Sequence, residues 1–199
     1  MSPLCHALLA GLAFAAPLSP TYAQKADLPT PAMFAVGDTW EWRQVDQRTK
    51  LEERRITRSV IATSGTLGFS DSAGGELGVS ATFTDNGYKP SGKPWRVWPL
   101  EVGKKWTMNA DWTRADGVTG NTKQDAEVVA YEDVNVPAGK FMAFKIEHRG
   151  WFQTSQGFRG KQNDTFWYSP DARADVKHSR DDGYNLYIRE LMALKRSTP

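Results

Sequence analysis

The stretch from Val134 to Arg180 reads VNVPAGKFMAFKIEHRGWFQTSQGFRGKQNDTFWYSPDARADVKHSR and carries the clearest structural pattern in the chain. Val136-Pro137-Ala138-Gly139 has the composition of a type I turn, because Pro fixes φ at the second position and Gly suits the fourth. Further on, the aromatic run Phe166-Trp167-Tyr168 ends at Ser169-Pro170-Asp171, where Ser can cap a short turn that Pro begins. The stretch therefore predicts a β-hairpin, a third strand and a sharp corner, and it contains no evident reaction centre.

Alternating side chains predict strands within this stretch and before it. Phe144, Ile146 and Phe152 share one parity, as the buried face of a pleated strand requires. Trp40 and Trp42 likewise share a face, with charged residues between and beside them. No convincing amphipathic helix longer than about three turns follows from the pattern. The sequence therefore predicts an all-β, antiparallel fold.

Glycine-containing turns divide the remaining strands. Gly74-Gly75 and Asn86-Gly87 predict hairpin turns in the first half, and Asp182-Gly183 predicts one near the end. After this last turn, one parity collects several apolar residues and predicts the buried face of the final strand: Tyr184, Leu186, Ile188, Met192 and Leu194.

A short spacing occurs twice. Val36-Gly37-x-x-Trp40 recurs as Val102-Gly103-x-x-Trp106, and both copies lead into alternating strands. A duplicated β-meander and a chance match both explain it.

The N-terminal residues predict export. Residues 7–16 are an apolar run too short to span a bilayer, and Thr21-Tyr22-Ala23 places small residues where a signal peptidase cleaves. A buried N-terminal helix is the alternative, since no Lys or Arg precedes the run. The predicted organisation is a signal peptide at 1–23, a flexible lead-in at 24–33 and a single antiparallel β domain at 34–199. The expected location is the bacterial periplasm or the exterior.

Composition excludes several classes of protein. The single cysteine, Cys5, leaves with the predicted signal, so no disulfide or cysteine nucleophile is expected. Gln24 rather than cysteine at the cleavage point also disfavours a lipoprotein. The net charge of +2, with acids and bases interleaved, argues against nucleic acid. No second apolar run approaches membrane-spanning length, so no transmembrane segment is expected once the signal is removed.

Several of these motifs together resemble the DUF3108-like (TapB-like) group of bacterial envelope proteins. The residues that carry the resemblance are Gly103-x-x-Trp106, Val136-Pro137-Ala138-Gly139-Lys140-Phe141, Phe166-Trp167-Tyr168-Ser169-Pro170, Val176-Lys177 and Arg189-Glu190-Leu191. They cover the chain from about residue 101 to 195; the first half matches only through Gly37-x-x-Trp40. The resemblance implies a curved antiparallel sheet that forms a half-barrel or flattened open barrel, and it brings no catalytic residues.

The candidate chemical groups form no recognisable catalytic or metal-binding motif. His148 and His178 lie far apart in sequence without a metal-ligand spacing, and His148 shares the inward parity of Ile146, which predicts a buried, hydrogen-bonded histidine. A Ser155-His148-Asp164 triad lacks any supporting motif. We therefore predict no catalytic residue, no metal site and no cofactor, and a protein that is more readily a binding module than an enzyme.

The eight tryptophans are the remaining signal. Aromatic faces can line an apolar cavity or stack on sugar rings, although large aromatics also fill the core of a β domain. Six are predicted to bind a ligand: Trp40, Trp42, Trp95, Trp98, Trp151 and Trp167. The function predicted from them is an exported carrier of an apolar or amphipathic ligand; the alternatives are an assembly protein with an envelope protein partner and an uncharacterised glycan hydrolase.

Overall fold

The computed structural model describes residues 24–63, 66–71, 76–78, 89–93, 95–114 and 116–197. Thirteen strands account for most of these residues, with one short 3-10 helix at Pro31–Met33. The strands are β1 Lys25–Ala26, β2 Thr39–Asp46, β3 Glu52–Thr63, β4 Thr66–Asp71, β5 Glu76–Gly78, β6 Lys89–Lys93, β7 Leu100–Glu101, β8 Lys105–Thr113, β9 Thr119–Val136, β10 Gly139–Thr154, β11 Arg159–Ser169, β12 Ala174–Asp181 and β13 Leu186–Lys195.

Eleven strands form one antiparallel sheet in the order β5-β4-β3-β2-β13-β12-β11-β10-β9-β8-β6. The sheet is curved, since β9 also contacts β12 and β13 across the concave side. Strands β5 and β6 are its edges, so the sheet is not closed into a barrel. The remaining two strands, β1 and β7, pair with each other. The predicted all-β, open and curved antiparallel fold is confirmed.

The stretch from Val134 to Arg180 forms the centre of this sheet. A turn at Pro137-Ala138 joins β9 to β10, β10 pairs with β11, and the corner after Ser169 leads into β12. Phe144 and Ile146 are fully buried on the concave face, as their parity predicted. The register shifts at two β-bulges, which increase the local twist and help to curve the sheet.

The concave face is filled by large side chains at the end where β2 begins. Trp40 and Trp42 lie on this face, and their indole N–H groups donate to the backbone oxygens of Ala172 and Asp175, both at 2.8 Å. A T-shaped contact between Phe34 and Phe69 extends the same aromatic cluster, with ring centroids 5.6 Å apart. Burial of these rings contributes to the hydrophobic stabilisation of the open sheet.

A loop at residues 95–99 covers the middle of the concave face. Trp95 is 5% exposed, and its ring stacks on that of His148 with the centroids 4.9 Å apart. The guanidinium of Arg96 binds the carboxylate of Asp175 at 2.8 Å, and Trp98 contacts the Tyr168 ring edge-on. The two tryptophans of this segment therefore hold the loop against the sheet.

The predicted buried face of the last strand is wrong over most of its length. Tyr187 and Leu191 point inward, whereas Tyr184 lies in the preceding turn and is 68% exposed. A bulge between Leu191 and Ala193 then reverses the parity, so only Leu194 at the far end packs against the core as predicted. A bulge inserts one residue without changing composition, so the alternation pattern alone cannot locate it.

The repeated Val-Gly-x-x-Trp spacing corresponds to a repeated local structure. Gly37 has φ +91° and donates its N–H to Val60 O at 2.9 Å; Gly103 has φ +90° and donates to Val128 O at 2.8 Å. In each copy the valine across the turn donates back to the residue after the glycine. The turns before β2 and β8 are thus built alike, and the duplicated β-meander stays a prediction.

Several predictions concern residues outside this description. The signal peptide at 1–23 and the turns at Gly74-Gly75 and Asn86-Gly87 lie outside the described residues. Within the predicted lead-in, Lys25–Ala26 pairs with Leu100–Glu101. In the part of the chain that the structure describes, no helix has the length and apolar character needed to cross a membrane.

Replacement of Gly103 by alanine is expected to lower the free energy of unfolding by about 1 kcal/mol, because an L-residue is strained at this positive φ. A Cβ at Gly103 would meet nothing within 4 Å, so backbone strain alone determines the loss. Chemical denaturation of Gly103→Ala beside the exposed neighbouring variant Val102→Ala measures it. Equal stability of the two variants would contradict the role assigned to the turn.

Candidate functional site

A band of buried polar side chains crosses the concave face next to the aromatic core. We call it the polar band; its members come from β9, β11 and β12 and are Gln124, Gln162, Asp164, His178 and Arg180. Strand register brings them together, since Gln124 and Gln162 both lie opposite Gly150, and Asp164 lies between His148 and Arg180.

Asp164 is the centre of the polar band. Its Oδ1 accepts hydrogen bonds from His178 Nε2 at 2.9 Å and Arg180 Nε at 2.7 Å. Its Oδ2 accepts from the side-chain amides of Gln124 at 2.9 Å and Gln162 at 2.8 Å. Burial raises the pKa of this carboxyl, but the Arg180 charge and the His178 hydrogen bond outweigh burial and hold the pKa well below its ordinary value. Asp164 is therefore a buried carboxylate with four donors.

The two inward histidines are neutral. Burial lowers the pKa of His178 to about 4, against the opposing effect of Asp164, and lowers the pKa of His148 to about 3. Since an ionised carboxylate only accepts, neutral His178 carries its proton on Nε2. His148 is buried as predicted, but the expected hydrogen bond is wrong: neither ring nitrogen has a partner among the described residues. The imidazole instead packs as an aromatic ring between Trp95, Trp106 and Phe166.

Gly150 allows the polar band to cross β10. The Gln124 side chain on β9 reaches Gln162 O and Asp164 on β11, which lie two strands away. Gly150 occupies the intervening position on β10. A Cβ built on Gly150 would overlap the backbone of Lys123 and Gln124, so no larger residue fits without displacing β9.

A cavity of about 390 Å³ opens beyond the polar band, at the end of the sheet where the β8–β9, β10–β11 and β12–β13 hairpin turns meet. We call it the mouth cavity. Its aromatic lining comes from Trp112, Phe152, Phe158 and Tyr184. Its polar lining comes from Thr113, Arg114, Thr154, Gln156, Gln162, Arg180, Asp182 and Asn185.

Two glycines hold the aromatic wall of the mouth cavity in place. The Trp112 ring lies over its cross-strand partner Gly120, where any Cβ would overlap the indole. The Phe152 ring lies in the same way over Gly160, with a hypothetical Cβ 2.7 Å from the ring. The Trp112 Nε1–H donates to Thr122 Oγ1 at 3.0 Å, which fixes the plane of the indole. The wall is therefore largely preformed.

The six tryptophans predicted to bind a ligand are not brought together on one surface. Trp40, Trp42 and Trp95 are buried in the concave core, and Trp98 packs against it from the covering loop. Trp151 and Trp167 lie on adjacent strands as predicted, but on the convex face. Their role in binding remains a prediction, and the described residues that line the mouth cavity include none of the six.

Sequence reasoning missed the residues that form the mouth cavity. Trp112 shares the parity of Trp106, which was a usable signal for its inward direction. Phe158 and Tyr184 lie in two hairpin turns that are distant from each other in sequence, and alternation provides no information in turns. These turns lie side by side because the three hairpins β8–β9, β10–β11 and β12–β13 are neighbours in one sheet.

The mouth cavity has few groups that could perform chemistry. Asp182 is the one carboxylate among the described residues that line it, and its oxygens accept from the backbone and side chain of Asn185 and from the backbone of Tyr184. Glycoside hydrolysis needs two carboxyl groups across one cleft. No cluster of three or more potential metal ligands occurs in the part of the chain described.

The comparisons with known proteins show a likeness of fold. No family model and no curated protein matches the chain. A crystal structure from Parabacteroides distasonis, provisionally described as a lipoprotein, is similar with a TM-score of 0.52 and 14% identity, over 86% of this chain and 100% of that one. A provisionally described exported protein with a YmcC-like fold from Bacteroides fragilis has a TM-score of 0.45 and 12% identity, over 82% and 97%. The resemblance to the DUF3108-like group stays a prediction.

The buried histidines are expected to make the protein less stable in acid. Between about pH 6.5 and 4 the unfolded chain binds protons at His148 and His178 that the folded protein excludes, so the free energy of unfolding falls as the pH falls. Each histidine contributes at most about 1.4 kcal/mol per pH unit. His148→Leu should reduce this pH dependence by about half, and urea denaturation at several pH values measures it. An unchanged slope would show that His148 titrates normally in the folded protein.

Replacement of Asp164 by asparagine is expected to lower the free energy of unfolding by about 3 to 5 kcal/mol, because Asp164 is fully buried and its loss leaves the partly buried Arg180 without its counter-charge. Asp133→Asn is the matched control; it breaks an exposed pair with Lys140 that contributes about 0 to 1 kcal/mol. Denaturation curves of both variants test the difference. A similar loss of unfolding free energy in the two variants would contradict the stabilising role assigned to Asp164.

Proposed function

We propose that this protein is an exported, non-catalytic binding module that holds an amphipathic ligand in the mouth cavity. The observation that carries the proposal is the mouth cavity itself, in which aromatic walls and polar groups face the same space. Its volume of about 390 Å³ lies within the range of small-molecule pockets, which is roughly 300 to 1,000 Å³.

The distribution of lining residues supports an amphipathic ligand. Trp112 and Phe152 form an apolar wall against the sheet, and Phe158 and Tyr184 stand exposed at the rim. The guanidinium of Arg180 lies at the inner wall, held there by its bond to Asp164, and Gln162 lies beside it. A ligand with an apolar chain or ring and one anionic or hydrogen-bonding group matches this lining.

The filled core supports binding at the mouth rather than along the whole concave face. Trp40 and Tyr168 are 1% exposed, and the loop at 95–99 covers the region between them and the polar band. The buried carboxylate of Asp164 already has four donors, so it supports structure rather than catalysis. Export is part of the proposal and rests on the N-terminal sequence pattern.

The double variant Phe158→Ser/Tyr184→Ser is expected to bind parinaric acid, a fluorescent fatty acid, about tenfold more weakly than the unmodified protein. Both side chains are more than half exposed, so their removal should leave the fold intact. Fluorescence titration of the purified mature protein measures the affinity.

The matched control is Val36→Ser/Val102→Ser, which removes two exposed apolar side chains at the opposite end of the sheet. The control should bind as the unmodified protein does. Absence of parinaric acid binding, or equal losses in the two double variants, would overturn the mouth cavity as the site. Native mass spectrometry of protein purified from the periplasm would then show whether a ligand other than a fatty acid co-purifies with it.

A further inference from the structure

The convex face carries a second candidate site, on the outer side of the same central strands. Lys123, Trp151 and Lys161 are direct cross-strand partners on β9, β10 and β11 and form a row across the sheet. Asn121, Gln153 and Arg159 form the next row, and Asp125, Arg149 and Asn163 form the row on the other side. We call these three rows the convex groove; residues from them line a depression of about 420 Å³.

The convex groove concentrates positive charge around one exposed aromatic ring. It holds four cationic side chains and one carboxylate, that of Asp125. Arg159 and Lys161 lie 5.3 and 5.7 Å from the centroid of the Trp151 ring, and Trp151 is 46% exposed. No ion pair joins Lys123, Arg159 or Lys161 to an acid among the described residues. Such a cluster of like charges destabilises the sheet unless an anion neutralises it.

Trp167, also on the convex face, has neighbouring lysines whose charges are paired with acids. Trp167 also has two lysines over its ring, Lys145 at 5.9 Å and Lys177 at 5.4 Å. There, however, the indole N–H donates to Glu132 at 2.9 Å, and each lysine pairs with a glutamate, Glu147 or Glu190. The contrast shows that a charge excess is not a general property of this face.

We propose that the convex groove binds an anionic oligosaccharide. Lysine and arginine side chains would bind its carboxylate or phosphate groups, Arg149 being available because its exposed pair with Glu147 contributes little. The amides of Gln153 and Asn163 offer both donors and acceptors for sugar hydroxyls. The amide nitrogen of Asn121 already donates to Asn109 and Asp111, so Asn121 offers its carbonyl oxygen. Trp151 offers an apolar surface between them for the faces of the sugar rings. This site is separate from the mouth cavity, which opens on the concave side.

Fluorescence anisotropy with a short fluorescein-labelled oligogalacturonate tests the proposal on the mature protein. Lys123→Gln/Lys161→Gln and Trp151→Ala should each weaken binding about tenfold, while Lys145→Gln/Lys177→Gln, which removes the same charge around Trp167, should bind as the unmodified protein does. A neutral maltooligosaccharide with the same label should not bind. Parinaric acid affinity should be the same in all these variants, which separates the two sites.

Three results would overturn the proposal. Absence of oligogalacturonate binding at low salt would exclude anionic oligosaccharides as the ligands of the convex groove. Equal losses in the two double-lysine variants would show attraction to the overall charge of the protein rather than to this groove. Binding to vesicles of phosphatidylglycerol, without binding to oligogalacturonate, would assign the groove to a lipid surface instead.

Discussion

The buried carboxylate of Asp164 is the interaction on which the concave face depends. Its four donors come from three strands, β9, β11 and β12, and they satisfy both oxygens in a region almost closed to water. An unpaired charge in such a place would cost several kcal/mol, whereas a fully paired one ties the strands into a single register. The arrangement also needs Gly150, because only a residue without a side chain lets Gln124 reach across β10.

The polar band divides the concave face into two parts with different physical roles. On one side, the aromatic rings and the loop at 95–99 exclude water and hold the open sheet in its curved shape. On the other, three hairpin turns surround a space that the sheet does not fill. Arg180 belongs to both parts, since it pairs with Asp164 and lines the mouth cavity. A ligand in the mouth cavity would therefore contact a wall that the core already holds rigid, which reduces the entropy lost on binding.

The limits of sequence reasoning here have specific physical causes. Alternation located β2 and β10 and their buried faces, because those strands keep one parity over the residues considered. It misassigned the face of β13 because Leu186 and Ile188 are apolar although they alternate with the inward Tyr187, and because the bulge near Ala193 turns Leu194, of the same parity, inward. It assigned the same role to six tryptophans, although Trp40 is buried and Trp151 is exposed. This difference depends on the face of the sheet to which each side chain points and on what packs there, which the local sequence does not show. The mouth cavity depends on turns brought together by the whole sheet, so no local pattern contains it.

Strand β10 shows how one strand can serve the core and both candidate sites. Its even-numbered residues point to the concave side: Ile146 and His148 lie in the core, and Phe152 lies in the wall of the mouth cavity. Its odd-numbered residues Arg149 and Trp151 point to the convex groove. Gly150 is the point where these roles meet, because its close approach to β9 positions both Lys123 on the outside and Gln124 on the inside. A larger residue at Gly150 would displace both side chains together. The two sites therefore share the backbone around Gly150 but use different side chains. A side-chain replacement on one face of β10 can alter one site and leave the shared backbone, and with it the other site, unchanged.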